Sequence, residues 1–103
     1  MSQKLDDRYF DLTMKILNYA IEFIDQPGYA SLRMTDVLES LLDLSTQLEG
    51  VDRREFYKSV KAKLSDRFDM TTQQEEASLL NELLALYITE WRKIRKTTSL
   101  SQD

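Results

Sequence analysis

Any chemistry in this chain falls to carboxylates, cations and hydroxyls, because the sequence contains neither histidine nor cysteine. That removes the usual zinc ligands, the Ser-His-Asp arrangement and the imidazole acid–base catalyst. It also removes a disulfide framework. No glycine-rich phosphate loop, nucleophile elbow or dinucleotide fingerprint occurs. The expectation is a non-enzymatic protein without a metal or a cofactor.

Four groups of residues could carry chemistry. Asp36, Glu39 and Asp43 fall at helical spacing on one face, the arrangement that could hold a hard cation. With no histidine to complete a set, and with the leucines on the opposite face, a solvated acidic face is the better account. Arg33 sits between Leu32 and Met34, and an arginine in apolar company commonly forms a bidentate pair with a carboxylate. With Tyr29 and Asp36 it forms either a structural latch or an anion site at a helix N-terminus, and the latch is favoured. Arg54, Lys58 and Lys61 align on one stripe and are candidate phosphate contacts in a helix-turn-helix arrangement around Gly50. Asp52, Glu55, Asp66 and Asp69 dilute that charge, and the preceding helix is too long for the motif. The cluster Trp91-Arg92-Lys93-Ile94-Arg95-Lys96 reads as cations complementing a helix dipole beside a buried tryptophan.

These residues need elements to position them. Apolar residues recur at three and four throughout, while glycine occurs twice and proline once. The pattern predicts an all-α, compact four-helix domain, with an up-down bundle preferred. The helices run over about 6–25, 33–49, 52–68 and 72–96, with a flexible tail at 97–103. Pro27-Gly28 stops the first helix. Ser31 or Thr35 caps the second, and Gly50 ends it. Asp52 and Glu55 have capping-box spacing at the start of the third, whose narrow stripe (Phe56, Tyr57, Val60, Leu64, Phe68) marks it as peripheral. Thr71 or Thr72 caps the fourth, with Glu75 and Glu76 in its first turn.

The first helix is unusual. Its polar residues occupy a narrow stripe, and its apolar surface is roughly twice the width of an ordinary amphipathic face. Either it lies at the centre of the bundle or one flank pairs with a second subunit. The broad shoulder of the fourth helix points the same way. The expected contact residues are Phe10, Met14, Leu17, Ile21, Leu79 and Leu86.

The chain is 103 residues long, enough for one self-standing domain, and its composition, 42% apolar and 31% charged, is that of a globular protein. The net charge of −4 gives no whole-molecule attraction to nucleic acid or to an anionic membrane. No apolar run spans a bilayer, and the N-terminal residues are too polar for a signal peptide. A cysteine-free chain suits the cytoplasm.

The segment Pro27-Gly28-Tyr29-Ala30-Ser31-Leu32-Arg33-Met34-Thr35-Asp36-Val37 resembles the Pro…Tyr…Leu-Arg-Leu-x-Asp segment of a family of small, all-helical, functionally uncharacterised prokaryotic proteins. The likeness covers the first half of the chain, and Gly28 before Tyr29 departs from the pattern. The resemblance implies the helical fold and a cytoplasmic prokaryotic setting, without an activity. The function expected from all of this is a small helical interaction module, with a second copy of the chain as first partner and another protein as the next. A nucleic-acid-associated regulator and a small-molecule binder with a pocket near Arg33 are the alternatives.

Overall fold

The computed structural model describes the backbone of residues 2–26, 30–69 and 72–102, and the side chains of these residues except 2–4, 68 and 94–102. The fold is all-α. Helix α1 spans Ser2–Glu22 and tightens into a 3-10 turn at Phe23–Asp25. Helix α2 spans Ala30–Leu44 and likewise ends in a 3-10 turn, Ser45–Gln47. Helix α3, Arg54–Leu64, continues as 3-10 through Ser65–Asp69. Helix α4, Gln73–Gln102, is the longest.

Cross-helix contacts establish the topology. Tyr9 donates its hydroxyl to the Leu41 carbonyl, and Ser31 donates to the Ala20 carbonyl at 2.9 Å. Residue numbers therefore rise along α1 as they fall along α2, so the two run antiparallel. Asp43 meets Lys61 while Asp36 meets Arg67, which makes α2 and α3 antiparallel. Phe56 packs on Tyr87 and Lys63 pairs with Glu82, which does the same for α3 and α4. Phe10 packs on Tyr87 and Gln73 reaches the Ile24 carbonyl, closing α4 back on α1. The result is the expected up-down bundle.

Its core takes Phe10, Leu17 and Ala20 from α1, and Leu38 and Leu42 from α2. Tyr57, Val60 and Leu64 come from α3, and Leu80, Leu83 and Tyr87 from α4. Helix α3 is thus not peripheral. Its stripe is narrow, but its three core residues are at most 1% exposed, so the stripe of this short helix is fully buried in the bundle. An aromatic cluster fills one end, with Phe56 edge-on to Tyr87 at 4.9 Å and Tyr9 edge-on to Tyr57 at 5.6 Å, geometries that ring quadrupoles favour.

Three of the buried hydroxyls follow a simple rule. Thr13, Thr35 and Ser45 each donate to the carbonyl three residues earlier, at 3.0, 2.7 and 2.6 Å. A hydroxyl on the core face can satisfy itself on its own helix in this way. Ser31 and Thr35 therefore do not cap α2 as expected; Ser31 stitches α2 to α1 instead.

Other boundaries also differ from the sequence expectation. The first and second helices begin about three or four residues earlier. The capping box at Asp52 does not form, because the Asp52 amide donates to the Asp6 carboxylate at 3.0 Å and α3 begins two residues later. Thr72 does cap α4, accepting the Glu75 amide at 3.1 Å. Gly50 adopts φ 86°, the left-handed region that favours glycine, in the turn between α2 and α3. The fourth helix continues through residues 97–102 rather than ending at Lys96, so Arg92 and Lys93 lie before its last turn, where they do not cap a dipole. Trp91, expected in the core, is 40% exposed. The side chains of Phe68, Ile94, Arg95 and Lys96 lie outside the described residues.

Candidate functional site: the outer face of helices α1 and α2

The polar groups singled out in the sequence are mostly committed to holding the bundle together. Asp36 and Glu39 receive Arg67, whose guanidinium reaches them at 3.3 and 3.2 Å and also donates to the Leu64 carbonyl at 3.2 Å. The Arg67 side chain is only 5% exposed, whereas Asp36 is 64% and Glu39 30% exposed. Asp43 pairs with Lys61, and that hydrogen bond raises the lysine pKa above its ordinary value. The acidic face of α2 is therefore a seam with α3 rather than a freely solvated surface. A buried arginine reaching two half-solvated carboxylates gains charge-assisted hydrogen bonds without desolvating both partners.

A second clamp joins α1 to the turn before α3. Asp6, itself buried, pairs with Arg53 and accepts the Asp52 amide, while Arg53 reaches Asp7 at 3.3 Å and lies 5.6 Å from the centre of the Phe10 ring.

Of the expected latch, Tyr29 lies outside the described residues. Arg33 is exposed, and among the described residues no carboxylate pairs with it. Asp36 turns to Arg67 instead. The contacts that hold this corner come from Ser31, whose hydroxyl also lies 3.4 Å from Glu76, and from Gln73, which reaches the Ile24 carbonyl and Asp25.

The candidate phosphate contacts are divided. Lys61 is tied to Asp43, and Lys58 lies 3.8 Å from Glu55. Arg54 alone is exposed without a carboxylate partner among the described residues.

The candidate interface also divides. Phe10, Leu17 and Leu79 are 1%, 0% and 3% exposed, so the core of the monomer consumes them and they are not available to a second subunit. Met14 and Ile21 pack against the same core, and Leu86 is exposed on α4.

What remains of the broad apolar girth of α1 is its other flank. Leu5, Leu12 and Tyr19 are 44%, 43% and 37% exposed, at a spacing of seven that sets them in line along the helix. Ile16, half-buried, lies between them. This flank is the one nearest α2, because Tyr9 and Ala20, next to it on the helix, contact α2 directly. On α2 the adjoining flank carries Val37 and Leu44, 43% and 42% exposed, also seven apart, with half-buried Leu41 between them. The antiparallel register places Leu5 level with Leu44 and Leu12 level with Val37. Two parallel rows thus form one apolar strip along the outside of the α1–α2 pair. Exposed leucines scattered singly are ordinary; a contiguous strip marks an interaction surface. The sevenfold spacing of Leu5, Leu12 and Tyr19 was readable from the sequence and was the signal for this flank.

Elsewhere, shallow recesses run along α3 and α4. One of about 570 Å³ is lined by Asp66, Thr72, Glu75, Ser78, Leu79 and Glu82, and one of about 370 Å³ by Glu55, Phe56, Ser59, Leu86 and Lys93 among others. A smaller one lies between Asp7, Phe10, Asp11 and Trp91. Arg33 lines none of these three. Among the described residues no group of three metal-ligating side chains occurs, and no helix is long and apolar enough to cross a membrane.

Of the buried hydroxyls of Tyr57 and Tyr87, that of Tyr57 has no hydrogen-bond partner among the described residues, and that of Tyr87 has only the Thr13 hydroxyl beside it. Burial raises the pKa of both well above the ordinary tyrosine value. The Asp6 carboxylate adds to the rise at Tyr57, and the Thr13 hydroxyl works against it at Tyr87.

Comparison of the chain with protein-family models, with curated proteins and with solved structures finds no match in any of the three.

Proposed function

We propose that this protein is a non-enzymatic helical interaction module that docks through the outer face of α1 and α2. The observation that carries this reading is the apolar strip formed by Leu5, Leu12 and Tyr19 beside Val37 and Leu44, exposed although the bundle has a complete core without it. A helix whose apolar surface exceeds what its own domain can cover is built to be covered by something else. The polar groups support the same reading, since most of them are engaged in intramolecular pairs between helices rather than converging on a reaction centre. The cysteine-free composition accords with a reducing cytoplasm, the compartment we assign.

The test is photo-crosslinking in the native cell, with the crosslinking residue placed at Leu12 or Val37 and, as controls, at exposed Lys58 or Asn81. A discrete adduct from the first pair and none from the second is the expected result. An adduct of twice the chain mass identifies a second copy as the occupant, and any other mass a different protein. Equal labelling from all four positions would contradict the docking role.

A further inference from the structure

The apolar strip has a rim, and the rim has a sign. Arg8 and Lys15 border it along α1, and Arg33 borders it along α2. All three are exposed, and among the described residues none pairs with a carboxylate. Lys15 lies 6.0 Å from the centre of the Tyr19 ring, directly beside the strip. Most of the carboxylates on α1 and α2 are spent elsewhere. Asp6 and Asp7 are held by Arg53, Asp36 and Glu39 by Arg67, and Asp43 by Lys61. Asp11 and Glu22 lie further round α1, on the solvent side of the cations. A chain of net charge −4 therefore presents a cationic frame around this apolar strip.

We propose that this face receives an acidic amphipathic helix of a different protein, an inference resting on the docking role assigned to the strip. A helix fits because every element of the face is helical, with its backbone hydrogen bonds already made, so no free edge exists for an added strand. From Leu5 to Tyr19 the strip runs about 21 Å, the length of four turns. Two rows of side chains at a spacing of seven offer the seam into which apolar residues at i, i+3, i+4 and i+7 of a third helix can pack. Acidic flanks on that helix meet Arg8 and Lys15 on one side and Arg33 on the other.

A second copy of this chain is the poorer occupant. An antiparallel pairing of α1 with itself about Leu12 sets Arg8 of one copy against Lys15 of the other, like charge against like, on the same flank. Such juxtaposition works against self-association while leaving the complementary partner favoured.

The probes are two synthetic amphipathic helices of about 20 residues, alike in a leucine face and differing in flanks of glutamate or lysine, followed by fluorescence anisotropy. The glutamate helix should bind at least about tenfold more tightly than the lysine helix at low salt. The gap should narrow as salt shortens the screening length. Arg8→Gln/Lys15→Gln/Arg33→Gln should erase the preference, and Arg8→Glu/Lys15→Glu/Arg33→Glu should reverse it. Leu12→Gln/Val37→Gln should abolish binding of both helices. Equal binding of the two helices by the wild type, lost in Leu12→Gln/Val37→Gln, would overturn the acidic partner and leave the docking face standing. Binding of neither helix, or binding untouched by Leu12→Gln/Val37→Gln, would overturn both. Light scattering that shows a dimer dissociated by Leu12→Gln/Val37→Gln would put a second copy on the strip. Co-sedimentation with phosphatidylserine vesicles, without preference between the helices, would put a membrane surface there. Either result overturns the acidic helix.

Discussion

The two flanks of α2 treat charge in opposite ways. Towards α3, Asp36, Glu39 and Asp43 meet Arg67 and Lys61, and the charges close on one another within the monomer. Towards the outside of α1, Arg33 stands with Arg8 and Lys15 around exposed leucines, without carboxylate partners among the described residues. One flank is a finished interface between helices. The other has the ingredients of an interface, an apolar centre with a charged rim, and only one of its two sides. The contrast lies within a single helix, so neither helix propensity nor overall composition accounts for it.

Substitutions can sharpen that contrast, and the largest effect belongs to the core side of α1. Leu17→Ala, at a fully buried position, should cost about 3 kcal/mol in urea unfolding, from lost burial and the cavity left behind. Next comes the finished flank of α2. Arg67→Ala should cost about 2 kcal/mol, below the full penalty for breaking a buried pair because Asp36 and Glu39 keep access to water. Arg33→Ala, on the unfinished flank, should stay within about 0.5 kcal/mol. Equal losses at the two arginines would erase the distinction.

A third prediction concerns the buried tyrosines. The pKa values of Tyr57 and Tyr87 are raised in the folded state, chiefly by burial. Their contribution to stability is complete below the unfolded value near 10 and is lost as pH rises towards the folded value. Above about pH 10 stability should fall by about 1.4 kcal/mol per pH unit for each of the two. Tyr57→Phe/Tyr87→Phe should flatten that slope, measured as the urea midpoint against pH. Because the Tyr57 hydroxyl has no hydrogen-bond partner among the described residues, Tyr57→Phe alone should lose little or nothing at pH 7. Ser31→Ala should cost about 1 kcal/mol, less than Arg67→Ala, for the lost hydrogen bond from α2 to the Ala20 carbonyl of α1.

Much of the fold was legible because apolar periodicity reports directly on helices. The four helical segments could be read from spacing alone, and so could a cap for α4 at Thr71 or Thr72, which the structure places at Thr72. Helix ends were less legible, since Asp52 had a competing partner in Asp6, forty-six residues away. The site was harder for a related reason. Spacing showed that α1 had more apolar surface than one face needs, but which part the core would take depends on where α2 and α4 pack. Phe10 and Leu17 went to the core, and Leu5, Leu12 and Tyr19 were left outside. Arg33 and Arg67 are alike in type, and only the packing of α3 against α2 makes one structural and leaves the other at the rim.

The central claim is that the α1–α2 strip serves something other than the stability of this fold. Urea unfolding of Leu12→Gln/Val37→Gln measures it most directly. The account predicts a two-state transition within about 1 kcal/mol of the wild type, against the loss of about 3 kcal/mol expected at Leu17→Ala. A loss comparable to that of Leu17→Ala would show that the strip belongs to the core and would contradict the account.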